Sequence, residues 1–383
     1  MSLDQTLNPL VDAPTIKRKY LAEAGLHLFS PGPVLFRPSD IYRFGDHPQF
    51  RTMLEGTNVY LICRRRRIAI DPHSIQVKGG GIYGNFVVHG DSYHQWETER
   101  FSCTPEMLRH KKRGSQFVAA QSMDAFGHAI VAIDQHNEKT FIPSCALVAR
   151  GKHSLGERTK LEVLYVGQTF GKEGNRLSVD RLSRHTTLQR ILAEVSDETG
   201  QDEILLLGLQ YSNSKNLLSS AGGAWVEPSA SSDEEQVHLM KASQQTFRRK
   251  DRILLAEAAL INHFKPRHNI MHRDSFSRSN TRKLKTLQSL LKEDFSALIV
   301  EINTSNISSK LWSAHAPRGA MSTYFTSQRI EEMRVNSLKP ENGLSQTEFD
   351  EWVKDNTHAH IAKFSLYEPA ERETFLHGLL WSL

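Results

Sequence analysis

The amino-acid sequence predicts an α+β fold, and three observations predict it. Short β-branched and aromatic runs separated by turn residues fill Val34 to Pro143. The pattern then alternates strand, helix, strand, helix: apolar Leu161 to Val166, a helical stripe ending at Val195, aliphatic Ile204 to Leu209, and a helical run reaching Phe264. The last third mixes one helix, Lys283 to Lys292, with strands at Phe295 to Ile302, Leu311 to Ala314, Ser322 to Thr326 and His360 to Leu366. The expected domains are a β-rich N-terminal domain, 1–143; a small mixed sheet flanked by helices, 144–272; and an α+β C-terminal region, 273–383.

Composition bounds the class. The chain has 383 residues, room for two or three domains with cores of their own, and 39% of them are hydrophobic. No apolar run approaches the eighteen residues a membrane helix needs, and Asp4, Asp12 and Pro14 occupy the start where a secretion signal would be basic and then apolar. A cytoplasmic protein with no membrane partner is the expectation. Cys63, Cys103 and Cys145 lack close-paired spacing, so neither a zinc site nor a disulfide framework is indicated, and reduced thiols are expected. Net charge is +5, unevenly spread: residues 241–285 hold twelve Lys/Arg against three Asp/Glu, while residues 201–240 hold one against six. The first stretch attracts a polyanion and the second repels it.

Taken in order, residues 1–27 read as an arm and a short helix, Ile16 to Leu26, stopped near Gly25. The β-rich region offers strands at Val34 to Phe36, Asn58 to Cys63, Arg67 to Ile70, Ser74 to Lys78, Asn85 to His89, Trp96 to Ser102, Gln116 to Ala120 and His128 to Ile133. Gly79-Gly80-Gly81 must form a turn or bulge. Cys145 to Arg150 reads as a strand that turns back through Gly151 to Thr159 to pair with Leu161 to Val166. Ser178 can cap the next helix, whose stripe is Leu182, Leu188, Ile191, Leu192 and Val195, and which carries Arg181 and His185 on one face at i and i+4. Residues 212–236, rich in Ser, Ala, Gly and acid, read as a mobile insertion. From Asp233 a helix in two segments runs to Phe264, ended by Pro266, with Glu257 inside an otherwise apolar stripe of Ile253, Leu254 and Ile261. His358 and His360 point to one face of a strand without an evident third ligand, and read as surface residues.

The order of these pieces carries the functional signal: Leu164-Tyr165-Val166-Gly167, then Arg181 four residues before His185, then Glu257 twelve before Asn269. This resembles the GIY-YIG nuclease superfamily over about 125 residues, Cys145 to Asn269. The resemblance implies a small mixed sheet that gathers the matching residues around one divalent metal. Glu257 would ligate Mg²⁺ or Mn²⁺; Arg181 would hold the scissile phosphate with its planar fork of donors. Tyr165 and His185 would act in proton transfer, Asn269 would brace the site, and Gly167 would let backbone pass close to it. The superfamily's first tyrosine is missing from its expected register, where Leu147 stands. Gly81-Ile82-Tyr83 spells that motif but lies 82 residues ahead of Tyr165 and reads as coincidence. Lys160, His153 or Tyr83 are the candidates to replace the absent tyrosine.

The expected function is a metal-dependent endonuclease acting on nucleic acid, DNA foremost, of the restriction, defence or mobile-element kind, with the flanking regions choosing the substrate. Arg248, Arg249, Lys250, Arg278, Arg282, Lys283 and Lys285 are the expected nucleic-acid contacts. The alternative is a nucleic-acid-binding protein on a decayed nuclease domain, which the missing tyrosine favours. A small-phosphate hydrolase fits less well, because the basic surface exceeds what one small anion requires.

Overall fold

The computed structural model describes residues 16–42, 52, 54–90, 95–108, 114–168, 182, 185–198, 200–219, 226–271, 273, 285–317, 327–338 and 345–366. Its strands are β1 (Ile16–Arg18), β2 (Glu23–Ser30), β3 (Val34–Phe36), β4 (Val59–Arg66), β5 (Ile68–Ile70), β6 (Gln76–Lys78), β7 (Gly81–His89), β8 (Trp96–Cys103), β9 (Phe117–Ser122), β10 (Ala129–Asp134), β11 (Lys139–Pro143), β12 (Leu161–Gln168), β13 (Asp202–Leu209), β14 (Asn213–Ser219), β15 (Val226–Pro228), β16 (Phe295–Asn303), β17 (Leu311–Trp312) and β18 (Ala359–Ser365). Its helices are α1 (Ser144–Arg150), α2 (Thr186–Glu198), α3 (Ser232–Gln244), α4 (Arg249–Phe264), α5 (Lys285–Lys292), α6 (Ser327–Ser337) and α7 (Gln346–Thr357). The class is α+β, as expected. No described helix is long and apolar enough to cross a membrane.

The central sheet has the order β17-β12-β4-β13-β3 and is mixed: β12, β4, β13 and β3 run antiparallel in turn, while β17 joins β12 in parallel. Along β4 the side chains alternate between two cores. Val59, Leu61 and Cys63 face α4, whereas Tyr60 and Ile62 face α2, whose Leu188, Ile191 and Val195 close that side. Helix α4 is buried nearly all round because a second sheet, order β14-β2-β16-β18, covers its far side with Leu26, Leu28, Leu298 and Val300. The layers are therefore α2, central sheet, α4 with α5, and outer sheet.

This arrangement redraws the expected domains. The boundary at 143 is not where the sheets divide: β3 and β4 belong to the central sheet, and β2 pairs with β14 and β16 in the outer one. What stands apart is the run between β4 and β12. Strands β5 to β11 form two small sheets around their own core, including Ile70, Phe86, Phe101, Phe117 and Ile130. The C-terminal region contributes β16 and β18 to the outer sheet instead of forming a separate lobe.

Three local expectations fail for tertiary reasons. Residues 16–26 are not helical: Ala24, Leu26 and Leu28 alternate into the core as β2 lies between β14 and β16. Cys145 to Arg150 is helix α1, because the place beside β12 is already filled by β4, and a short apolar run can bury several faces as a helix wedged between two cores. Within 212–236, β14 pairs with β2 along its whole length, and the Asn216 amide donates to Ala242 O and Gln245 O at 2.8 and 2.7 Å. Ser231 and Glu234 then form a reciprocal capping box that starts α3. The segment expected at Ser322 to Thr326 lies outside the described residues. All three cysteines are free and buried, and burial raises their thiols, Cys103 and Cys145 to about 12.

Candidate functional site

The strand paired with β12 on its interior side is β4, and it carries a tyrosine. Tyr60 lies directly across from Gly167, and Tyr165 across from Ile62, in an antiparallel register with one irregularity between Val163 and Tyr165. The rings of Tyr60 and Tyr165 are 6.1 Å apart at an interplanar angle of 35°. Gly167 is what allows this. A Cβ there would stand 2.5 Å from Tyr60 Oη and 2.8 Å from Tyr165 Cε1, closer than any side chain tolerates.

His185 completes the group from the other side. Its ring centroid is 5.7 Å from that of Tyr60 and 5.3 Å from that of Tyr165. Its Nδ1 accepts from Leu188 N–H at 3.2 Å in the first turn of α2, an end where backbone donors lack intrahelical partners. With Nδ1 used as acceptor, the neutral ring carries its proton on Nε2, which donates to Tyr60 Oη at 3.0 Å. Tyr60 is buried, while Tyr165 and His185 are half-buried.

The open edge of β12 is closed by the segment after α4. His268 N–H donates to Leu164 O at 3.2 Å. Asn269, itself buried, takes over the pairing of Val166 with its side chain: Oδ1 accepts from Val166 N–H and Nδ2 donates to Val166 O, both at 2.9 Å. Asn269 thus grips the residue between Tyr165 and Gly167. Glu257 is half-buried in the middle of α4, the helix packed against β12. Arg181 lies outside the described residues, as do Arg278, Arg282 and Lys283.

The basic residues that are described lie apart from this cluster. Arg248 caps the start of α4, Arg249 and Lys250 open its first turn, and all three are exposed. A sixteen-residue helix puts them about 24 Å along its axis from the Asn269 end. Lys285 is exposed at the start of α5. A cavity of about 500 Å³, lined by Arg37, Arg67, Phe141, Leu192 and Asp202, opens beyond the opposite end of β4, about 20 Å from Tyr60 at the rise of a strand.

The position expected for a first tyrosine, Leu147, is in the core of the inserted module, and the three proposed substitutes also stand elsewhere. Tyr83 is half-exposed on β7, His153 Nε2 bonds to Val148 O at 2.8 Å, and Lys160 pairs with Glu157. Tyr60 went unrecognised because 104 residues separate it from Tyr165. The available signal was that Val59-Tyr60-Leu61-Ile62 and Leu164-Tyr165-Val166-Gly167 are both apolar strands with tyrosine second. His360 is buried on β18, its Nε2 donating to Leu311 O at 2.6 Å, whereas His358 is half-buried at the end of α7 and does not share a strand face with it; burial lowers both to about 4. Comparison with protein-family models, curated proteins and solved structures finds no match to the chain.

Proposed function

We propose that the chain is a metal-dependent endonuclease cutting the phosphodiester backbone of nucleic acid, with DNA the first substrate to test, on a site of the GIY-YIG kind. The observation that carries the reading is the meeting of Tyr60, Tyr165 and His185 across Gly167 on paired strands, with Asn269 holding the strand between them. Tyr60 fills the role of the first tyrosine, whose apparent loss was the argument for a decayed, binding-only protein. The inserted module between β4 and β12 supplies a surface for choosing the substrate.

Phosphodiester cleavage needs an activated water, charge stabilisation at the phosphoryl oxygens and a proton for the leaving oxygen. Half-buried Tyr165 and His185 are the groups placed to move protons. Tyr60, which accepts from His185 Nε2, orients the imidazole. Arg181, four residues before His185, would clamp the phosphate. Among the described residues no three metal-ligating side chains converge. Glu257 on α4 is the carboxylate that the resemblance assigns to Mg²⁺ or Mn²⁺, ions that keep most of their waters and so need few protein ligands. A bound ion would supply Lewis-acid stabilisation of the phosphoryl oxygens.

The test is cleavage of plasmid, linear duplex, single strand and RNA with Mg²⁺ or with chelator, repeated with Glu257→Gln. Metal-dependent cutting is expected, and the variant should lose it while keeping its circular dichroism and its nucleic-acid affinity. A variant that cuts at the wild-type rate removes Glu257 from the site, and wild-type protein that cuts none of the four substrates removes the reading.

A further inference from the structure

The cavity beyond the end of β4 lies where the chain crosses from the central sheet into the inserted module. Strand β4 ends at Arg66 and β5 begins at Ile68, so Arg67 is the crossing residue. Its backbone is held from both sides. The Arg67 N–H donates to Gln201 O, just before β13, at 2.9 Å, and its carbonyl accepts from His89 N–H of β7 at 3.1 Å. One wall of the cavity is Leu192, Val195 and Ser196 of α2 with Ile204 of β13; the facing wall is Phe141 of β11 and the loop before β10. That loop is fixed in place. Ile70 N–H donates to Gly127 O at 2.9 Å, Ser144 N–H donates to His128 O at 2.9 Å, and Arg37 Nη1 donates to His128 O at 3.3 Å. A preformed space of about 500 Å³ between two packed units, part apolar and part polar, has the size and setting of a small-molecule site.

The charges on its walls indicate the kind of molecule that fits. All three Arg37 nitrogens are engaged, Nη1 by His128 O and the other two by the Asp40 carboxylate at 3.3 and 3.0 Å. Asp202 pairs with Arg66 at 2.9 Å and Glu203 with Arg65 at 2.6 Å. Asp124 accepts from Phe126 N–H at 2.9 Å and lies 3.3 Å from His128 Nδ1. Arg67 is the exception: half-buried on the cavity wall, its guanidinium has no hydrogen bond or ion pair among the described residues. A cation partly withdrawn from water and without a counter-ion gains from an anion that reaches it, and a planar guanidinium takes phosphate or carboxylate with two donors at once. Leu192, Val195 and Ile204 offer the same cavity an apolar surface, which a ring would cover and a bare ion would leave in water.

We propose that this cavity binds a small aromatic anion, its phosphate or carboxylate on Arg67 and its ring against the apolar wall of α2 and β13. The site is about 20 Å from Tyr60 and stands whether or not the tyrosine cluster cuts nucleic acid. A ring of this kind has two sources, a free small molecule and a nucleotide turned out of a strand.

The experiment is isothermal titration calorimetry of the full chain with phenyl phosphate, benzoate, each ribonucleoside 5′-monophosphate and inorganic phosphate, for wild type, Arg67→Gln and Ser196→Trp. The Arg67 side chain has no described partner to lose and Ser196 is exposed, so both variants should keep the wild-type circular dichroism. Wild type should bind at least one aromatic anion about tenfold or more tightly than inorganic phosphate, which leaves the apolar wall unused. Arg67→Gln should weaken that binding by about tenfold to a hundredfold, the worth of hydrogen bonds to a charged group. Ser196→Trp, which puts an indole into the cavity, should abolish it. A short single-stranded oligonucleotide that displaces the bound probe identifies the strand as the source; one that leaves it in place identifies a free small molecule. Wild type that binds none of the aromatic anions, inorganic phosphate that binds as tightly as they do, or either variant equal to wild type overturns the site.

Discussion

At the scale of single residues, the site depends on one missing side chain. Gly167 has no Cβ, and that vacancy holds the Tyr60 hydroxyl and the edge of Tyr165. Gly167→Ala places a methyl 2.5 Å from Tyr60 Oη and 2.6 Å from Tyr60 Cζ, so at least one ring must move. Displacements near 1 Å at a reacting centre cost on the order of 10²-fold in rate. The expected outcome is a folded protein whose single-turnover cleavage falls by about that factor, with the Tyr60 to His185 hydrogen bond broken. Tyr60→Phe keeps the buried ring and removes only the hydroxyl. It should slow the same step within the roughly 10² to 10⁴ range of proton-transfer groups while leaving the urea midpoint nearly unchanged. Cleavage within about threefold of wild type by either variant would return Tyr60 to the role of an ordinary core tyrosine.

At the scale of elements, β12 has one neighbour over its full length and a borrowed one at its edge. Beyond the short pairing with β17 at Leu161 and Glu162, the edge is satisfied by His268 and by the Asn269 side chain. Asn269→Ala leaves Val166 N–H and C=O without these partners in a buried setting, a loss of about 2 to 4 kcal/mol. Urea unfolding measures it, and Asn269→Asp should recover only the bond from Val166 N–H, because a carboxylate repels the Val166 carbonyl. A variant as stable as wild type would mean that water or a strand shift replaces the amide. This bracing was legible from sequence only as an asparagine after a proline stop. Regular strands were legible because alternation survives in β4, β7 and β10, each with buried residues at every second position over part of its length. Helix α1 and strand β2 were not, since an apolar run of seven or eight residues fits either period and only neighbours decide. Pairing was the larger gap. Sequence proximity points to a partner for β12 within hairpin distance, but the chain inserts a whole module between β4 and β12.

At the scale of the molecule, a chain of imidazoles joins the helix bearing Glu257 to both sheets. His263 of α4 donates from Nε2 to His360 Nδ1 of β18 at 3.4 Å, and His360 passes its own proton to Leu311 O of β17 at 2.6 Å. Both rings are neutral in this arrangement, and adding a proton to His360 Nδ1 would set it against the His263 N–H. Burial lowers His360 to about 4 and His263 to about 3, the latter also opposed by His360 and His315. The direction of the pH effect follows. An unfolded histidine takes a proton near pH 6.5 and these do not, so the unfolded state binds more protons as pH falls below 6.5. Stability is full above about 6.5 and declines as pH falls toward 4. At pH 5, some 1.5 units below the unfolded value, His360 alone removes about 2 kcal/mol at 1.36 kcal/mol per unit. His263 acts in the same sense. The check is the urea midpoint at pH 7 and pH 5 for wild type and for His360→Gln, whose amide can donate to Leu311 O and accept from His263 without titrating. Wild type should lose stability across that interval, and the variant, whatever its stability at pH 7, should lose about 2 kcal/mol less. Equal losses in the two proteins would show that acid acts elsewhere, and would leave this histidine chain as a packing contact between the helix and the outer sheet.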